Sequence, residues 1–187
     1  MTKPKAFVEN YLENVRKLFH YYKSLGEKAM AQLSNEQLHQ RPDEHSNNIA
    51  VLVKHLSGNM LSRWSDFLES DGEKSFRNRE QEFVDTLMTH EALMAYWEKG
   101  WSCLFKAIDP LQVEDMSRIA YIRNEGHSVV EAINRQLGHY SFHVGQIIVI
   151  AKAIKGADWQ SLSIPRGGSA AFNQQKFEQP KSRKNFI

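Results

Sequence analysis

Apolar residues recur at alternating steps of three and four along four stretches of the chain, the spacing that gives an α-helix one buried stripe. In the first, about residues 5–33, the stripe is Val8, Tyr11, Val15, Leu18, Tyr22, Leu25 and Ala29. The second, about 48–69, runs through Ile49, Leu52, Val53, Leu56, Met60, Trp64 and Phe67, with Asn47 or Asn48 placed to act as N-cap. A third carries Leu87, His90, Met94, Trp97, Trp101, Leu104 and Ile108 and ends near Asp109-Pro110. The fourth opens on Ser128-Val129-Val130-Glu131, which has the capping-box form, and continues to about Lys155-Gly156. Its second half, VGQIIVIAKAI, is apolar nearly all round, the pattern of a helix enclosed by others.

The joints carry turn chemistry. Between the first two patterns, LSNEQLHQRPDEHSNN is polar, and Pro42 disfavours helical geometry at Arg41, so this stretch predicts a loop crossing one end of the fold. SDGEKSFRNREQEF is a charged break with the turn dipeptide Asp71-Gly72. Ahead of the fourth pattern, the Ile119–Ile122 run and then Asn124-Glu125-Gly126 predict an extended segment or small turn packed on the helices. After Asp158 the periodicity stops. The prediction is an all-α, four-helix bundle over residues 1–160, with a long crossing loop after its first helix and an irregular tail over 161–187.

The candidate chemistry lies on the fourth helix. His139 and His143 are four residues apart, so both imidazoles leave the same face. Eight histidines placed at random would give roughly 0.3 such pairs, so the spacing needs context. His55 on the second helix supplies it: facing the pair across a bundle, it completes three neutral imidazoles able to hold one divalent ion with open coordination positions. Zinc, nickel and iron(II) all accept imidazole. Asn59, one turn after His55, is a candidate to support a metal ligand or to contact substrate, and Gly58 beside it leaves room for a neighbour. Of the other histidines, His20 falls on the first helix, His39 and His45 in the loop, His90 in the core-facing stripe of the third helix, and His127 ahead of the fourth.

Other classes lose ground on what is missing. A zincin needs Glu directly after the first His, and residue 140 is tyrosine. Carboxylate-bridged di-iron bundles need Glu-x-x-His, but Gln136 and Tyr140 stand three residues before the two histidines. No phosphate-binding glycine motif occurs. The net charge of +2 comes from 24 basic and 22 acidic residues mixed along the chain, so no basic stripe suggests nucleic acid. No stretch reaches about 18 apolar residues and the N-terminus lacks a signal-like apolar run, which predicts a cytoplasmic protein without a membrane span. The single cysteine, Cys103, sits in the apolar run WSCLF and is expected to be a buried structural thiol.

The stretches VLVKHLSGNMLSRWSDFLESDGEKSFRNREQEF, YWEKGWSCLF, INRQLGHYSFHVGQI and IPRGGSAAFN resemble a bacillus-type branch of the DinB/YfiT-like superfamily, over nearly the whole chain. In that superfamily a His on the second helix joins an HxxxH on the fourth to bind metal, and His55, His139 and His143 stand at those positions. The resemblance also implies the four-helix bundle and a homodimer. Its characterised members include thiol S-transferases using bacillithiol and an isomerase using mycothiol. The function expected is therefore a metal-dependent transferase with a small-molecule substrate or thiol cofactor such as bacillithiol. The alternatives are a metal-dependent hydrolase, with Glu44, Asp66 or another carboxylate as base, and a non-catalytic stress-related protein with a structural metal. Arg77, Arg79 and Arg166 crowd with glycines in GEKSFRNRE and IPRGGS. One or more of these arginines, Arg79 and Arg166 foremost, is expected to border the site mouth and bind an anionic group, and Tyr140 to support a metal ligand or to contact substrate.

Overall fold

The computed structural model describes residues 3–182. Its elements are α1 (Lys3–Met30), α2 (Asn35–Leu38), α3 (Ile49–Trp64), α4 (Arg79–Glu82), α5 (His90–Ile108), the strands β1 (Ile119–Ile122) and β2 (Glu125–Ser128), α6 (Val129–Lys155) and α7 (Ser169–Phe177). The four long helices form the bundle: α3 lies along α5, α1 along α6, and α3 meets α6. The fold is all-α, with one small hairpin attached. No helix among the described residues is long and apolar enough to cross a membrane.

The caps fall where the sequence chemistry puts them. Asn48 accepts from the Val51 amide at the start of α3, and Ser128 and Glu131 form a reciprocal capping box on α6. At the far end of α6, Gly156 takes φ of +54°, a left-handed value that stops the helix at low steric cost. The core between the helices is aromatic and aliphatic: Phe19, Leu52, Leu56, Trp97, Trp101, Tyr140 and Ile147 are all fully enclosed. Gly100 lets α5 close on α3, since a Cβ there would stand 2.8 Å from the Ser57 Cα.

Several sequence expectations shift. On α1 Val15 and Ala29 are enclosed as expected, but Leu12 and Phe19 are enclosed in place of their neighbours Tyr11 and Leu18, which sit at the edge of the stripe. α3 stops at Trp64 rather than near residue 69, and Asp66 with φ of 46° turns the chain, although Phe67 still packs on the bundle. α5 begins only at His90, capped by Thr89; Leu87 lies outside it and His90 is exposed, so the apolar stripe starts at Leu93. The outer face of α6 is not enclosed: Phe142 and Val149 are exposed, so its all-round apolarity is partly a surface feature. The tail is not wholly irregular, because α7 occupies Ser169–Phe177 with every residue exposed.

The hairpin is set by its turn. Arg123 and Asn124 take φ of 55° and 62° between the paired residues Ile122 and Glu125, the geometry of a two-residue type I′ connection. Asp71, from the break between α3 and α4, holds that turn by accepting from the backbone amides of Arg123 at 2.9 Å and Asn124 at 2.8 Å. The same carboxylate accepts from the Glu73 amide at 2.7 Å. These bonds hold its pKa down at about 2. Arg123 is thereby carried to the wall of a cavity that it shares with residues of α3 and α6.

Candidate metal centre

His55 leaves α3 and His139 and His143 leave α6 toward a common point. The Nε2 of His139 is 3.3 Å from that of His55 and 3.1 Å from that of His143. One ligand nitrogen from each imidazole lies within 4.8 Å of the others. Two nitrogens bound tetrahedrally to zinc at about 2.0–2.1 Å lie about 3.3 Å apart, so the two short separations match what one ion requires.

Neighbours fix which nitrogen faces inward. His55 Nδ1–H donates to Glu82 Oε2 at 3.0 Å, and His143 Nδ1–H donates to Gln146 Oε1 at 2.7 Å. Each bond leaves the opposite Nε2 with its lone pair directed into the cluster. Burial first, and then the neighbouring His143, His55, Arg77 and Arg63, together lower the His139 pKa to about 3. Burial also lowers that of His143, against the opposing effect of its bond to Gln146. Near neutral pH both imidazoles of α6 are therefore unprotonated, the form that ligates metal.

Glu82, on the short helix α4, is the strongest support of the cluster. Burial alone would raise its carboxyl, but bonds from His55 and Arg77 more than offset that and hold it low. Arg77 clamps it from Nε at 2.7 Å and Nη2 at 2.9 Å. The carboxylate fits because residue 58 is glycine: a Cβ there would stand 2.2 Å from Glu82 Oε1. Sequence periodicity could not find Glu82, which lies 27 residues from His55 in a segment without a stripe. The available signal was Gly58, one turn after His55.

The imidazoles open into a cavity of about 370 Å³, whose wall includes Asn59, Phe83 and Gln136 and five arginines, Arg63, Arg77, Arg79, Arg123 and Arg135. Asn59 and Arg79 thus line it, as the sequence reading placed them near the site. Tyr140 does not: it is fully buried, donates to Asn59 Oδ1 at 3.0 Å and accepts from Trp64 Nε1 at 2.9 Å. Burial raises its pKa, so its role is to orient Asn59 as a neutral donor. Arg166 lies exposed after the bundle and is not part of the wall. Arg63, Arg123 and Arg135 were not singled out in the sequence.

The remaining histidines lie elsewhere. His20 stacks on Phe105 and His45 is exposed. His39 is not a free loop residue: Nδ1 meets Asp85 at 2.8 Å and Nε2 meets the Met88 carbonyl at 2.8 Å, pinning the crossing loop to the start of α5. His127 is half-buried in β2, and its Nε2 has no partner among the described residues. Of the carboxylates named as hydrolytic bases, Glu44 is exposed and Asp66 borders a separate groove with Cys103, Lys99 and Lys106. Cys103 is half-buried there rather than enclosed.

No curated protein matches the chain. A family profile does, across the bundle from α1 to the segment after α6, taking in the three imidazoles, Glu82 and the five arginines. The chain belongs to the family described as Protein of unknown function (DUF1572), which matches residues 6–168.

Proposed function

We propose that this is a DinB/YfiT-like, metal-dependent transferase that uses a low-molecular-weight thiol, with bacillithiol the leading candidate. The observation that carries it is the donor set: three Nε2 atoms converge, and both outer rings have their tautomers fixed by Glu82 and Gln146. A divalent ion bound there, zinc or nickel by ligand preference or else iron(II), would favour the thiolate over the thiol near neutral pH.

The chain's own residues do the rest. His139 and His143 stay unprotonated because they are buried, so neither needs to shed a proton before ligation. Tyr140 occupies the Asn59 oxygen, leaving the Asn59 amide N–H groups as donors toward a ligand. In the transfer, sulfur forms a bond to an electrophilic carbon, the leaving group departs with the bonding pair, and the thiol proton passes to solvent.

Transfer is favoured over hydrolysis by the carboxylates. A hydrolase needs a free base beside the bound water, yet both oxygens of Glu82 are committed to His55 and Arg77. Neither Glu44 nor Asp66 lines the cavity. The proposal also includes a cytoplasmic homodimer, for which the exposed Phe142 and Val149 on α6 offer an apolar face. The test is to load the protein with zinc, nickel or iron(II) and assay bacillithiol and other small thiols against a panel of electrophiles. Metal-dependent conjugation is the expected result. Absence of both thiol binding and turnover across the panel overturns the reading.

A further inference from the structure

The wall of the histidine cavity carries more positive charge than its own carboxylates neutralise. Five guanidiniums line it. Glu73 is shared by Arg63 at 3.2 Å and Arg123 at 3.0 Å, and Glu82 is bound to Arg77. Exposed Glu80 reaches Arg79 only at 3.7 Å. Even counting Glu80, five cations meet three carboxylates, an excess of two before any metal is added. Three neutral imidazoles would leave the whole charge of a divalent ion uncompensated, so the site as a whole favours an anion strongly.

Two of the arginines are placed for a ligand rather than for the fold. Arg135 has no hydrogen bond or ion pair among the described residues, and it sits four residues before His139, on the same face of α6. Arg79 lies over the Phe83 ring at 5.1 Å, and Phe83 in turn packs 5.0 Å from the His55 ring. Gln136 also lines the cavity; it is 4% exposed, and its Oε1 has no partner among the described residues.

We propose that the molecule taken by this cavity is a small anion bearing at least two negative charges on carboxylate or phosphate groups, gripped by Arg135 and Arg79 beside the imidazoles. The volume of about 370 Å³ suits a small metabolite rather than a polymer. This rests on the cavity being the substrate site, and it adds the substrate's charge class to the metal-dependent reading.

Calorimetric titration of succinate and of inorganic phosphate, with acetate as the single-charge comparison, tests it on zinc-loaded protein freed of excess zinc and on metal-free protein. One or both dianions should bind at least about tenfold more tightly than acetate, with affinity falling as salt rises. Which of the two binds more tightly distinguishes a carboxylate ligand from a phosphate ligand. Arg135→Gln and Arg79→Gln should each weaken the dianion about tenfold while zinc content is unchanged, and Lys99→Gln in the separate groove should do nothing. Zinc retained with dianions bound no better than acetate, or bound equally by both arginine variants, overturns the inference and leaves the metal reading standing. Arginine-dependent dianion binding by a protein that takes up none of zinc, nickel and iron(II) supports the inference and sinks the metal reading.

Discussion

Glu82 holds His55 only because residue 58 is glycine: the carboxylate accepts from His55 Nδ1 at 3.0 Å across the space a side chain at 58 would fill. Gly58→Ala should therefore lower metal affinity although alanine is the better helix former. The expected loss is about tenfold to a hundredfold, measured by competition with a chromogenic chelator. Glu82→Gln keeps an acceptor but removes the charge and strands the Arg77 guanidinium, and should give a loss at the lower end of that range together with reduced stability. Unchanged affinity in Gly58→Ala would remove Glu82 from any part in the metal centre.

Removal of a ligand is the more direct test. Elemental analysis of protein purified without an affinity tag should find a divalent metal, and His55→Ala and His143→Ala should each lose it. The variants should stay folded, since both rings lie at the cavity and the enclosed core between α3 and α6 does not depend on them. Native metal content in both variants would show that the metal binds elsewhere.

How much of this could be read from the chain follows from the range of the interactions. The three imidazoles were legible because two share a helix face at i and i+4 and the third sits on a strongly periodic helix. The Ser128–Glu131 capping box was legible because its chemistry is local. Glu82, Arg123 and Arg135 were not, because nothing local marks them: Glu82 acts through a contact made from a one-turn helix without an apolar stripe, Arg123 is delivered by a hairpin, and Arg135 gains meaning only from its neighbours in space. The start of α5 was misplaced because Leu87 happens to continue the stripe, while Thr89 supplies the cap that sets the true boundary. On α6, apolarity without direction could not separate an enclosed helix from one whose Phe142 and Val149 face outward.

Acid should destabilise the metal-free protein before it unfolds the core. The folded-state pKa of His139 is lowered to about 3 from an ordinary value of 6.5, and that of His143 is lowered as well. For a group depressed in the folded state, the unfolded chain binds the proton first, so the stability is fully present above about 6.5 and is lost as pH falls toward 3. Denaturant midpoints of metal-free protein should decline through that window, and His139→Gln should flatten the decline. Zinc-loaded protein should keep its midpoint to lower pH and then lose the ion, since protons and metal compete for the same nitrogens. A His139→Gln profile that parallels the wild type would overturn this assignment.

Asp71 offers a way to disturb the cavity without touching it. Its carboxylate accepts from the amides of Glu73, Arg123 and Asn124, which lowers its pKa to about 2 and fixes the turn that carries Arg123 to the wall. Asp71→Ala should lower stability at neutral pH by on the order of 1 kcal/mol, less than three charge-assisted bonds would give in a buried site, because the carboxylate is open to water. The sign with pH is the ordinary one for a depressed carboxyl: its contribution is present above about 3.8 and disappears as pH falls through 2, so variant and wild type should converge there. Arg123→Gly separates the turn from the charge, because glycine accepts the positive φ of 55° more readily while the guanidinium bonded to Glu73 is lost. That variant should match or exceed wild-type stability yet bind dianions more weakly, whereas Asp71→Ala should lose both. Equal stability of Asp71→Ala and wild type at neutral pH would show that the hairpin holds its turn without the carboxylate.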